Sequence, residues 1–437
     1  MHIYTERHIL RNPSLTVLMK ISVDGHFDEP RFEKALLSLK SVHPLLYSSV
    51  SMDHDGVAYY RENSVQRLEL QCAIRERQNQ WLEVAEAENK RPFNCEQGPL
   101  ARFFVFYSKT DFDILAVVHH LIGDGDAIAR LLRDVVAAYA GIDLPHQEQV
   151  LISSRDDFPQ SATPTFLVKA FTRSIHKMWH KGKQPSFGEH EYQQMFGDYQ
   201  QLVDIRLAYL TINAKEINNL HQACKAHGVT LNEAIVTAFI GAMQKKCAHP
   251  SNKKMVVGIP INMRKHLLLP TEDCLGNFAS AVTINERYDA RKDFWQNAAQ
   301  VRSKLSSKLK SAKAPWVLLN LYALLNPLLI DAMYFAAYGK CEDKAAKKAA
   351  AMLSLDNPSS TAISNLGRLN FDCRMGSCHI RDMVFFAPKA PGSYVVLGVV
   401  TLGNTMQIGF SYDRKKISSD TLENVSSTLQ EWLRTLR

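Results

Sequence analysis

No two of the eight cysteines stand in a CxxC spacing: positions 72, 95, 224, 247, 274, 341, 373 and 378 are scattered along 437 residues. The nearest approach to a ligand cluster, Cys373, Cys378 and His379, has no second pair, so no metal site is expected and free thiols in a reducing compartment fit better. A GxSxG elbow is missing, which argues against a serine hydrolase. The first residues, Met-His-Ile-Tyr-Thr-Glu-Arg-His, have no apolar core of the kind that exports a protein, so a cytoplasmic location is expected. No RNA-binding, zinc-finger or basic-zipper pattern occurs, and no nucleic-acid partner is expected. There is also no uninterrupted apolar run long enough to span a bilayer. The best candidate, 317–337, is broken by Asn320, Asn326, Pro327 and Asp331, so buried helices are expected there. Lysines 304, 308, 310 and 313 before it, and 344, 347 and 348 after it, leave peripheral membrane contact as an alternative.

What is present reads as a folded globular chain, 46% hydrophobic and 22% charged, long enough for two domains. A net charge of +8 suits an anionic ligand, an acidic carrier protein or a membrane surface. Alternating residues predict a strand over 16–23, and helical spacing follows through Phe32, Leu36, Leu37 and Leu39 to His43-Pro44. Residues 102–107 and 112–118 read as two strands joined by a turn, and Ile128, Leu131, Leu132, Val135, Val136 and Tyr139 predict the next helix. Strands are expected again at 208–212, 255–261, 279–284 and 394–400, with helices over 214–227 and, after an N-cap, 232–243. The pattern divides the chain into a first half, 1–160, a connecting segment with a helix, 161–200, and a second half, 201–437. On the connecting helix Lys169, Arg173, Lys177 and Lys181 recur every fourth residue, with Phe166, Phe171, Ile175 and Met178 assigned to its other faces. That stripe reads as a solvated face, with a docking surface for an acidic carrier or phospholipid head groups as the alternative.

The most specific stretch is His119-His120-Leu121-Ile122-Gly123-Asp124-Gly125, between the second strand of that pair and the helix. Neighbouring side chains on a strand point to opposite faces, so only one of the two imidazoles can look into a cleft. A neutral imidazole can take a proton from a hydroxyl or amine near neutral pH. Asp124 could serve that ring directly or pair with a distant cation. Gly123 and Gly125 permit a tight turn, and a helix starting near Asp126 would aim its N-terminus at the site.

HHxxxDG is the signature of an acyltransferase superfamily that includes condensation domains, polyketide-associated acyltransferases and, as HxxxD, the plant acyltransferases, and this chain resembles it along nearly its whole length. Arg91-Pro92-Phe93 with Gly98-Pro99-Leu100, Thr230-Leu231-Asn232-Glu233, the 258–264 segment Gly-Ile-Pro-Ile-Asn-Met-Arg, Gly276-Asn277 and Ser364-Asn365-Leu366-Gly367 follow in the family's order. The resemblance implies an α/β fold of two chloramphenicol-acetyltransferase-like halves forming a pseudo-dimer, with an active-site tunnel between them. It implies His120 as the base, with His119 and Gly125 in support and Asp124 as a structural anchor for Arg264. Ser364 and Asn365 are implied near the substrate or its oxyanion.

The reaction so implied takes an acyl thioester, on coenzyme A or a carrier protein's phosphopantetheine, to an alcohol or amine, lipid-like acceptors included. It needs no bound cofactor. The DFGWG segment of the plant branch is missing, as are adenylation and carrier motifs, so a stand-alone, monomeric, ester-forming enzyme is expected. Amide formation is the alternative, and a non-catalytic carrier-binding scaffold is a third reading.

Overall fold

The computed structural model describes residues 1–247, 253–353, 360–389 and 392–436. Two six-stranded sheets share one four-strand order. In the first, Thr16–Asp24, Asp111–His119, Ala101–Tyr107 and Glu69–Ile74 lie side by side; in the second, Ile205–Ile212, Thr405–Asp413, Val395–Leu402 and Ser360–Leu369 do. In both sets the first three strands are antiparallel and the fourth runs parallel to the third. Each first strand leads into a helix, Glu29–Ser38 or Ala214–Ala226, and each central hairpin into another, Gly125–Tyr139 or Ser419–Thr435. The chain is therefore two related α/β halves, the chloramphenicol-acetyltransferase-like pseudo-dimer.

The halves are stitched by a strand that changes sheets. Cys378–Phe386, late in the chain, pairs antiparallel with Thr16–Asp24, setting Leu18 opposite Phe386. It covers an edge of the first sheet that would otherwise expose a row of unpaired backbone groups. A division of the chain at 201 thus does not divide the sheets, because residues 374–386 belong to the first one. Where this strand crosses the second sheet, the Phe385 carbonyl lies over Gly398 and Gly409, which face each other across the Val395–Leu402/Thr405–Asp413 hairpin. A Cβ on either glycine would collide with that oxygen.

The connecting segment is more than a tether. Helices Phe166–Trp179 and Glu189–Leu202 share a core with Val317–Leu324, Pro327–Ala337 and Lys344–Met352, built on residues such as Ile175, Trp179, Tyr192, Met333 and Phe335. The apolar run 317–337 forms two helices that meet at 104°, with Asn326 capping the second. Among the described residues no single helix is long and apolar enough to cross a membrane. The polar residues that interrupt the run are tertiary links. Asp331 pairs with the buried Arg7, whose Nε donates to Oδ1 at 2.9 Å, and Asn320 donates to the carbonyls of Ala162 and Trp316. Phe166 does not lie apart from the basic stripe as its assignment to another face supposed. It is 81% exposed and sits three and seven residues before Lys169 and Arg173, on the same face.

Candidate active site

Between Phe112 and Gly125, only His120 is not buried. The strand Asp111–His119 is central to its sheet and apolar on both faces, and it ends at His119, whose N–H donates to the Leu100 carbonyl at 2.9 Å. His120 opens a short 3-10 turn, His120–Ile122. The two imidazoles therefore diverge because the chain leaves the strand between them, not through strand alternation. The turn is held from three sides: His120 N–H donates to the Leu15 carbonyl, Tyr60 O–H to the Leu121 carbonyl, and Leu121 N–H to His119 Nδ1 at 3.2 Å.

These bonds assign the tautomers. His119 Nδ1 is an acceptor, so its proton is on Nε2, which faces Cys95 Sγ at 3.7 Å. His119 is 3% exposed and meets the Phe93 ring edge-on, while the Arg102 guanidinium lies 4.0 Å over that ring's centre. Burial, with the nearby His120, Arg102 and Arg11 charges, pushes the His119 pKa down to about 3. In His120 the arrangement is reversed. Nδ1 lies 2.9 Å from the Gly123 carbonyl, which can only accept, so Nδ1 carries the proton and Nε2 keeps a free lone pair. Burial lowers the pKa of His120 below 6.5, partly offset by the Asp124 charge and the Gly123 carbonyl. At neutral pH the ring is uncharged and its orientation is fixed.

Asp124 does not hold that ring. Its Oδ1 accepts from Ala127 N–H at 2.9 Å as N-cap of the helix Gly125–Tyr139, which starts one residue before the expected Asp126. Its Oδ2 accepts from Arg264 Nη1 at 2.7 Å and from Phe278 N–H at 3.0 Å. Burial raises the Asp124 pKa, but Arg264 and these N–H donors outweigh it and hold the carboxyl below its usual range. Arg264 also lies 4.6 Å over the Phe278 ring and donates to the Gly276 carbonyl. Gly123 and Gly276 form a backbone bridge, so motif residues from one half are clasped to Arg264 and 276–278 of the other. At Gly125 a Cβ would lie 2.9 Å from both Leu366 and Phe385, which explains the glycine and brings the 364–367 segment against the motif. Asn365 is taken up there in structure: its amide donates to Asn232 Oδ1 at 3.1 Å, and its oxygen accepts from Gly367 N–H. Ser364 is half-buried beside it.

One residue at the site carries no spacing signal in the sequence. His8 is the only residue of Thr5–Ser14 that is not buried. It sits on the short helix Arg7–Leu10, which packs on the His120–Ile122 turn close enough for the two imidazole charges to repel. Its Nδ1 lies 2.8 Å from the Thr5 carbonyl, leaving Nε2 free, and its ring stacks on Tyr322 at 4.0 Å. Burial drives its pKa down to about 4. Two neutral imidazoles, each the single residue of its segment that is not fully buried, thus lie close to one another. Only the packing of the N-terminal helix reveals this.

The fold and the clasped motif at the seam of its halves define a chloramphenicol-acetyltransferase-like protein of the HHxxxDG superfamily. A condensation-domain family model matches residues 14–372, and the chain belongs to that family. Gramicidin S synthase 2 of Aneurinibacillus migulanus is 21% identical over 303 residues, covering 67% of this chain but 6% of that much longer protein. The trichothecene 15-O-acetyltransferase of Fusarium sporotrichioides superposes with a TM-score of 0.69 at 12% identity, covering 99% of this chain and 94% of that one. Polyketide synthase associated protein 5 from Mycobacterium tuberculosis gives 0.62 at 13%, covering 98% and 96%. At such identities these structures share the fold. Membership in the family supports a transferase.

Proposed function

We propose that this protein moves an acyl group from a thioester, on coenzyme A or carrier-protein phosphopantetheine, to a hydroxyl, with His120 as general base. The observation that carries the reading is the His120 ring itself: Nδ1–H engaged by the Gly123 carbonyl, Nε2 free, and a pKa lowered by burial. Nε2 accepts the hydroxyl proton as oxygen attacks the thioester carbonyl. The tetrahedral oxyanion then expels the thiolate, and the proton on Nε2 passes to that sulfur, which regenerates the base. Ser364, beside the motif, is the candidate hydroxyl donor to the oxyanion. Asp124 acts through position, because its clasp to Arg264 holds the turn that aims the ring. The donors are substrates, and no bound cofactor enters the scheme.

Ester formation is the first reading because of the resemblance of the Ser364–Gly367 segment to alcohol-acylating members. Amide formation has its own support in the peptide synthases among the curated relatives. Mass spectrometry of thiol release, with acyl-CoA or acyl carrier protein offered together with alcohol or amine acceptors, separates these readings. His120→Ala should cost about 10²–10⁴-fold in rate. A folded His120→Ala variant that turned over at the wild-type rate would remove the base assignment. A folded wild-type chain inert toward every donor would favour the scaffold reading.

A further inference from the structure

The helix Phe166–Trp179 presents a surface that neither sheet nor motif accounts for. From residue 158 to 188 the chain has no Asp or Glu, yet Lys169, Arg173, Lys177, Lys181 and Lys183 all fall within it. Val168, Thr172, Ile175 and Trp179 face the core, which leaves the cations on the outer side. All five are exposed, and none is in an ion pair among the described residues. At the start of the helix Phe166, in line with these cations, is 81% exposed, and Leu167 beside it is 77% exposed. Such exposure of two large apolar side chains side by side marks a contact surface.

Neighbouring elements extend the same chemistry. Asn320 donates to the Ala162 carbonyl at 2.7 Å and the Asn326 N–H to His176 Nε2 at 3.1 Å, so the helix Val317–Leu324 lies alongside with its start near Phe166. There Val317 is 41% exposed, preceded by the exposed Lys310 and Lys313. The helix Lys344–Met352 packs on Phe166–Trp179 and exposes Lys344, Lys348 and Lys347, the last of which pairs with the exposed Glu342. The result is an apolar tip in a broad field of cations.

We propose that this face docks the protein on an anionic lipid surface, with Phe166 and Leu167 entering the acyl boundary and the lysines and Arg173 meeting headgroup phosphates. The tip protrudes from a helix end, the helical cations run about 12 Å from Lys169 to Lys177, and Lys181 and Lys183 follow just past the helix's end at Trp179. A fluid anionic layer satisfies a protruding tip and a spread of charge together, whereas a folded acidic partner would need a matching concavity for the tip. Tyr322, on the helix that begins at Val317, stacks on His8 beside the motif, so one helix joins the docking face to the reaction space. The docking stands independently of the chemistry assigned to His120.

Co-sedimentation of the full chain tests it, with vesicles of phosphatidylglycerol and phosphatidylcholine against phosphatidylcholine alone. Binding should require the anionic lipid and weaken with salt. The triple variant K169Q/R173Q/K177Q should bind about a hundredfold more weakly, roughly fivefold per cation removed. F166S/L167S should bind at least about tenfold more weakly at unchanged charge. All five side chains are exposed, so both variants should keep the wild-type melting temperature. Failure to bind anionic vesicles overturns the proposal, including the case in which the same face captures an acidic carrier protein instead. Binding that survives both sets of substitutions also overturns it.

Discussion

His120 and Asp124 do different work although four residues separate them. His120 is the proposed base, its ring held by a backbone carbonyl, and Asp124 is a buried anion taken up by Arg264, Ala127 and Phe278. Because burial holds the His120 pKa below 6.5, the acid limb of a kcat/KM profile should fall below pH 6.5 with the slope of one proton. A limb at or above 6.5 would contradict the assignment. Replacing Asp124 with Asn strands a buried guanidinium, at a cost of about 3–5 kcal/mol. Urea unfolding reads that loss. In whatever fraction stays folded, removing the negative charge should shift the acid limb further down, because Asp124 raises the His120 pKa. An unchanged unfolding midpoint would mean that the clasp adds nothing. At this scale the sequence named the motif and, through the family resemblance, the distant Arg264. Neither Cys95 against His119 nor His8 against the turn was legible, because those contacts join chemically ordinary residues far apart in the chain.

Among the elements, the crossing strand Cys378–Phe386 is the one whose placement local patterning does not disclose. The sequence reading places no strand there, and pairing with residues 16–24 is a matter of which sheet edge lies open. The facing glycines make the crossing possible. Gly398→Ala or Gly409→Ala drives a methyl into the Phe385 backbone, which cannot rotate away, and each should destabilise by about 1–3 kcal/mol. Both methyls press on the same oxygen, so the double variant should lose less than the sum of the singles. Full additivity in chemical unfolding would show that the two sites do not share this contact. The strands at 16–23, 102–107 and 112–118 and the helix after the motif were readable from period alone, since each buries a face or lies wholly inside. Helices such as Gln80–Glu88 and Glu189–Leu202 are mixed in polarity, and their packing decides them.

At the scale of the molecule, burial of titratable groups at the seam couples stability to acid. His119 and His8 have folded pKa values near 3 and 4 against 6.5, so below pH 6.5 the unfolded chain binds protons that the folded one refuses. Glu6 works in the opposite sense: burial raises its carboxyl to about 7, so the folded state holds an extra proton between about 4.5 and 7. The lowered imidazoles, His120 among them, outweigh the single raised carboxyl, so stability should fall as pH drops below 6.5 toward 4.5. Urea midpoints at pH 7 and 5.5 should show that fall, and Glu6→Gln should steepen it. A midpoint that rises on acidification would contradict the balance. By itself, the sequence determined the family and an α/β class, because a short motif and hydrophobic period are written locally. The opening heptapeptide required no fold to be recognised. Only tertiary structure decided that one strand serves the other half's sheet and that Phe166 stands among cations. Those outcomes depend on which edges and faces remain uncovered once every element has packed, and no single segment of chain carries that information.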